Sequence, residues 1–305
     1  MTFFKRPYAY AVVFGGVLAL LTAFVLLDTY VIPHSLAAVP APFSAAAGLA
    51  SSSADTAAAG QAAEITDTTY HDENIDITLT TLRVADTDVY VAEVQLASAD
   101  ALRTAMAQNT FGTNITQTTS ALAQENGAVL AINGDFYGAN STGYVIKNGV
   151  LYRESTRGSA DLVLYADGSF GIAEEASVTA QQLLADGVQQ LFAFGPVLVE
   201  DGQCAVSTGA EVSKAMTNNP RTAIGIVEPL HYIFVVSDGR TQQSTGLTLY
   251  QLAQVMQQAG CTTAYNLDGG GSSTMVFNGS VVNNPTTNGK KITERAVSDI
   301  VYIGV

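Results

Sequence analysis

From Tyr8 to Leu27 the chain carries no charged residue (YAYAVVFGGVLALLTAFVLL), and this divides everything that follows. The run is about 20 residues, the length a helix needs to cross a bilayer. Lys5 and Arg6 precede it, Asp28 follows it, and the next Lys or Arg is Arg83. Positive charge on the near flank predicts a cytoplasmic N-terminus (1–7), a single-pass signal anchor (8–32) and an exported remainder. The alternative is a cleaved signal peptide processed near Ala37-Ala38. The apolar run exceeds the roughly 7–15 residues of a usual signal core, which favours the anchor.

A chain split in this way must build its core beyond the anchor. Ala37 to Ala63 is almost entirely Ala, Ser, Pro and Gly, so 33–64 reads as a linker off the membrane. The folded domain is predicted over 65–305, its order beginning between Ile65 and Ile75. At 48% hydrophobic and 13% charged the chain can bury a large core. Its net charge is −14, with every acid beyond the apolar run, which makes nucleic acid an unsuitable partner. Cys204 and Cys261 could form one disulfide in an oxidising exterior, but sequence does not fix their distance.

Short apolar segments joined by turn dipeptides predict hairpins. Tyr144–Tyr152 turns at Asn148-Gly149, Leu162–Phe170 at Asp167-Gly168, and Met275–Val282 at Asn278-Gly279; such pairs tolerate the positive φ of type I′ turns. Thr248 to Gln251 has capping-box spacing, followed by Leu252, Val255 and Met256 on one helical face and Gly260 as a stop. Thr118 to Gln124 reads as a weaker helix before the strand Ala128–Ile132. Strands and helices do not alternate regularly, so the expected class is α+β, with a mixed, largely antiparallel sheet and a few packed helices.

Polar residues gather where apolar strands end. Asn266-Leu267-Asp268-Gly269-Gly270-Gly271-Ser272-Ser273-Thr274-Met275 places one carboxylate before three glycines and three hydroxyls. Three glycines are costly to order, so such a turn suits a tight curl or close approach to a polar ligand. The same grammar recurs in Asn133-Gly134-Asp135, in Arg221 at the start of a strand, in Asp238-Gly239-Arg240, and in Glu294-Arg295 before the last strand. Each has a plainer reading as a turn, a surface strand residue or an exposed ion pair. Their recurrence at strand ends, where loops gather on a rigid scaffold, favours a site.

Only His34, His71 and His231 occur, none in these segments, which argues against a Ser-His-Asp triad or a histidine zinc centre. There is no G-x-S-x-G elbow and no Walker motif. Asp135, Asp238 and Asp268 could hold a hard cation, but no metal or cofactor is assigned. Carboxylates suit glycosidic cleavage, and arginines suit a two-bonded grip on phosphate. Together they suggest a sugar attached to phosphate.

The blocks AINGDFYG, FGPVLV, NPRTAIGI, SDGR followed by GLTL, and NLDGGGSSTMV followed by ERAVSD resemble the phosphodiester glycosidase family, in family order, over roughly Leu79 to Val305. The resemblance implies hydrolysis of a sugar-1-phosphodiester, and the chain is similar to exported bacterial members acting on envelope glycopolymers. It departs at Ala296, where proline is expected, and at Asp299, where an amide is common. On this reading Asp268 and Asp135 flank the anomeric carbon and Arg221 grips phosphate, with Arg240 and Arg295 behind it. The amides of Gly269, Gly270 and Gly271 and the hydroxyls of Ser272, Ser273 and Thr274 bind oxygens. Asn133 orients a sugar hydroxyl or carboxylate, and Asp238 and Glu294 also line the site. A non-catalytic glycopolymer-binding module and a metal-dependent phosphodiesterase remain the other readings.

Overall fold

The computed structural model describes residues 8–39, 63–210 and 218–304. α1 (Ala9–Tyr30) is a 22-residue helix, long and apolar enough to cross a membrane, with its large side chains exposed. Just beyond it, His34–Ala38 forms a strand antiparallel to Thr110–Thr113, so these residues of the predicted linker join a sheet. Most of that linker, 40–62, lies outside the described residues.

Two antiparallel sheets make the body of the domain. The larger runs Gln203–Cys204, Val197–Glu200, Thr263–Asn266, Arg221–Glu228, His231–Ser237, Thr87–Leu96, Ile75–Val84, Thr69–His71 and Glu64–Ile65. The smaller runs Ser280–Val281, Met275–Phe277, Ala128–Asn133, Asp299–Gly304 and Leu102–Met106. Period-two alternation explains how each strand serves two layers. Val301 and Ile303 join Leu130, Ile132, Ile224 and Phe234 in the core between the sheets. Ile300 and Tyr302, between them in sequence, pack instead with Leu122 and Ala123 of α2 (Thr119–Glu125). On the far side of the larger sheet, Ala223, Ile233 and Val235 meet Leu252, Ala253 and Met256 of α4 (Leu249–Gln258). A short α3 (Ala180–Ala185), which the sequence did not reveal, packs on a third sheet formed by Phe170–Glu174, Ala160–Tyr165 and Val188–Phe192.

The predicted helix starts are present: Thr118 caps α2, and Thr248 with Gln251 closes a reciprocal capping box on α4. Two hairpins turn as expected, with both turn residues at positive φ (Asn148-Gly149 and Asn278-Gly279). At Asp167-Gly168 only Gly168 has positive φ, because a longer loop joins Tyr165 to Phe170; that turn is not type I′. Cys204 and Cys261 are free, Cys261 buried beneath α4.

Candidate active site

The strand-end blocks meet at one end of the two sheets. Arg221 lies opposite Ser237, and Ile300 opposite Asn133. The two sheets are tied where the Asp268 amide donates to Gly134 O at 3.2 Å and Asn133 Nδ2 donates to Asp268 O at 2.6 Å. The Asp135 and Asp268 segments are therefore neighbours although they lie on different sheets.

Asp268 is 8% exposed, and its Oδ2 accepts from Ser272 Oγ at 2.6 Å and Arg295 Nη2 at 3.2 Å. Burial raises its pKa, against the opposing pull of Arg295 and Ser272. Arg295 also donates to Ser272 Oγ and to Gly269 O, while its side chain remains 40% exposed. It thus links the buried carboxylate to solvent. Gly270 stands at φ +64, and a Cβ there would lie 2.8 Å from Arg240 Nη2; the turn needs glycine for its conformation and for the guanidinium laid against it. Arg240 is held by Asn219 Oδ1 and Thr287 O. Burial, with nearby Arg295 adding to it, disfavours the charge on Arg240.

Asp135 is 4% exposed, and its Oδ2 accepts from the Ala193 amide at 3.0 Å. Its own amide donates to Asp299 Oδ1 at 2.9 Å. A Cβ on Gly134 would lie 2.4 Å from that same oxygen, so Gly134 serves close approach and makes no positive-φ turn. Asp299 Oδ2 forms an ion pair with Lys147 Nζ at 2.9 Å, without the alignment of a hydrogen bond, both groups being almost fully buried. Lys147 also lies over the Phe192 ring, 4.1 Å from its centroid. Burial raises the Asp299 pKa to about 6, with Lys147 opposing and Asp135 adding to the rise.

Several residues expected in the site hold structure instead. Asn133 is fully buried: Oδ1 accepts from Thr222 Oγ1 and the Thr274 amide while Nδ2 serves Asp268 O, which commits it to bracing the glycine turn rather than a sugar. Arg221 is 3% exposed and donates Nε to Leu247 O, and its Cδ lies 4.0 Å from where a Cβ on Gly269 would stand. Asp238 fastens Asn283 and Asn284, and Glu294 caps α2 through the amide and hydroxyl of Ser120. Ser273 and Thr274 are fully buried. The Gly270 amide donates to Pro220 O, so it is not an oxygen-binding group; Gly269 packs against Pro220 and Gly271 against Thr287.

The reading of the sequence passed over Arg153 and Arg157 beside Asp135, and gave no role to Phe136 and Phe194, which lie in the AINGDFYG and FGPVLV blocks. Arg153, Arg157, Phe136 and Phe194 line one cleft with Asp135. Arg153 follows a predicted hairpin, and Arg157 sits in a polar loop. Arg153 nevertheless closes the apolar strand Val150–Arg153, so a strand-end signal was present there and was passed over.

Comparisons with known proteins give the family and the fold. The phosphodiester glycosidase family model matches residues 126–304. A Bacillus subtilis protein, the SPbeta prophage-derived uncharacterized protein YomE, is 32% identical over 199 residues, covering 63% of this chain and 30% of that protein. Mouse N-acetylglucosamine-1-phosphodiester alpha-N-acetylglucosaminidase is 28% identical over 179 residues, covering 52% of this chain and 34% of the mouse protein. The chain thus spans about a third of the length of each. Among solved structures, the catalytic domain of the zebrafish N-acetylglucosamine-1-phosphodiester alpha-N-acetylglucosaminidase superposes with a TM-score of 0.61 at 22% identity, covering 76% of this chain and 83% of that one. A hypothetical protein from Synechocystis gives 0.57 at 16% identity, covering 76% and 62%. At these identities the two structures establish the fold.

Proposed function

Because the chain belongs to the phosphodiester glycosidase family, we propose that it hydrolyses the bond between a sugar's anomeric carbon and a phosphodiester in an envelope or extracellular glycopolymer. An N-acetylglucosamine-1-phosphodiester-like linkage is suggested by the name of the mouse relative. The observation carrying this reading is the contact of the Asp268 amide with Gly134 O. It makes Asp268 and Asp135 neighbours, with Arg295 and Arg240 on the Asp268 side.

In the reaction the anomeric C–O bond breaks, and its electron pair departs on the phosphate oxygen. The sugar ring gains positive charge, which Asp268 and Asp135 stabilise, one of them as nucleophile or base. Water supplies the new anomeric hydroxyl and gives its proton to a carboxylate. The departing phosphate monoester is a good leaving group, so a strong general acid is less necessary than for a sugar alkoxide. Arg295 and Arg240 are the groups that meet its growing negative charge. We place the domain outside the cell, tethered by α1, because Lys5 and Arg6 precede an apolar helix of spanning length.

The reading is tested by hydrolysing a panel of sugar-1-phosphodiesters in oxygen-18 water. Label in the sugar supports C–O cleavage. Label in the phosphate would instead show a phosphodiesterase, and no release from any member would leave a binding module. Protease digestion of intact cells tests the topology: a domain protected from added protease would overturn it.

A further inference from the structure

Acids outnumber Lys and Arg 27 to 13 in this chain, so an arginine without an acid beside it is notable. Among the described residues, Arg153 and Arg157 have no carboxylate within the 4.0 Å of an ion pair. They nevertheless sit close together, on the cleft that also holds Asp135. Burial, with Arg157 adding to it, disfavours the charge on Arg153, and Asp135 only partly offsets this.

Both guanidinium groups are fixed by neutral partners. Arg153 donates Nε to Gly143 O at 2.7 Å and Nη1 to Asn140 O at 2.6 Å and Tyr137 O at 3.1 Å. Arg157 donates Nη2 to Ala193 O. Carbonyls orient a guanidinium without cancelling its charge, and a charge held in place in advance needs little reorganisation when an anion arrives. Glu175, which accepts from the Arg157 backbone, makes no ion pair with the Arg157 guanidinium. It accepts from the amides of Arg157, Gly158, Ser159 and Tyr144 and from Thr156 Oγ1. That acid therefore shapes the loop and leaves its arginine facing the cleft. Arg153 Nη2 and Arg157 Nε and Nη1 donate no hydrogen bond to the described residues. Phe136, 44% exposed, and the half-buried Phe194 supply apolar ring surface in the same cleft.

We infer that Arg153 and Arg157 form a second anion subsite, beside Asp135, which takes a phosphate or carboxylate carried elsewhere on the sugar or on its neighbour in the polymer. The inference rests on the hydrolytic reading for the identity of the substrate, but not for the existence of the subsite. It resolves how an acidic domain engages a polyanion. One oxyanion meets Arg240 and Arg295 at the scissile linkage, and a second meets Arg153 and Arg157, with the sugar ring between Asp268 and Asp135.

The test is calorimetric titration of the full chain in detergent with three probes: N-acetylglucosamine, N-acetylglucosamine 6-phosphate and glucuronic acid. Arg157→Gln is the main variant, because Arg157 is exposed and its loop is held through its backbone. Arg157→Lys asks whether charge alone suffices, and Arg83→Gln is a remote control. The phosphorylated or the carboxylated sugar should bind more tightly than the neutral one. Arg157→Gln should weaken that probe about tenfold or more and leave N-acetylglucosamine unchanged. The preferred acid identifies the anion as phosphate or carboxylate. Equal affinity for all three probes, or an acidic preference lost in Arg240→Gln but kept in Arg157→Gln, overturns the subsite. The two readings fail separately. Release of sugar from a 1-phosphodiester without an Arg157-dependent preference removes only the subsite, whereas Arg157-dependent binding without release removes only the hydrolysis.

Discussion

The two carboxylates of the candidate site are held in opposite ways. Asp268 has its charge partner in direct contact, with Arg295 and Ser272 on the same oxygen, and Arg295 reaches into solvent. Asp135 has no ion pair among the described residues; a backbone amide holds its carboxylate, and the buried Asp299–Lys147 pair holds its backbone. Charge compensation is local on one side and displaced on the other. A carboxylate tied to arginine keeps its geometry while its burial raises its pKa. One tied only by an amide leaves its field to whatever enters the cleft. The difference would suit the proposed hydrolysis, in which positive charge develops on a ring between the two.

The strongest way to break this comparison is to neutralise each carboxylate. Asp268→Asn and Asp135→Asn should each lower kcat on a sugar-1-phosphodiester on the order of a thousandfold with the circular dichroism spectrum unchanged. Near-normal turnover in both would mean that other groups carry the chemistry. The displaced support of Asp135 is tested by Lys147→Met, which leaves Asp299 buried and unpaired. It should destabilise the domain by about 3–5 kcal/mol in denaturant unfolding, and adding Asp299→Asn should recover part of the loss. If the single variant unfolds at the wild-type midpoint, the pair does not hold this side together.

Arg295→Gln should reduce kcat/KM about a hundredfold, and Arg295→Lys should recover little, because a point charge cannot serve Asp268, Ser272 and Gly269 together. In a double-mutant cycle its effect should be strongly non-additive with Asp268→Asn and closer to additive with Asp135→Asn. Equal coupling to both would erase the proposed asymmetry.

The smallest effect is on the pH dependence of stability. Burial raises Asp161 to about 8, so the folded state binds this proton more tightly than the unfolded chain. Its contribution is complete below the unfolded value near 3.8 and is lost as pH rises through about 8. Burial also pushes Glu175 up, but its amide and hydroxyl donors prevail and hold it at about 2. That contribution is present above the unfolded value of 4.5 and is lost as pH falls through about 2. Melting temperature should therefore decline from about pH 4 to 8, and Asp161→Asn should flatten the upper part of that decline. An unchanged slope would show that Asp161 is ionised in the folded protein.

Much of the scaffold was legible because its signals are local. Asn148-Gly149 and Asn278-Gly279 form turns from their own backbone preferences, Thr248 and Gln251 cap a helix three residues apart, and the uncharged run forms a helix. Short apolar runs joined by turn dipeptides marked the hairpin strands. Asp268 and Asp135 could be chosen from the polar grammar of strand ends. That grammar could not say which neighbours would be engaged by structure, since Asn133, Arg221, Asp238 and Glu294 differ from the other strand-end residues only in what lies opposite them.

Sequence alone therefore determined the apolar helix, the antiparallel α+β class and the family. Tertiary structure decided which arginines face the cleft. It turned Arg221 Nε to Leu247 O, and brought Arg295 to Asp268 and Arg153 and Arg157 to the cleft of Asp135. The physical reason is range: turn and cap preferences act within a few residues, whereas a guanidinium is placed by carbonyls and carboxylates that only the packing of the sheets brings within reach.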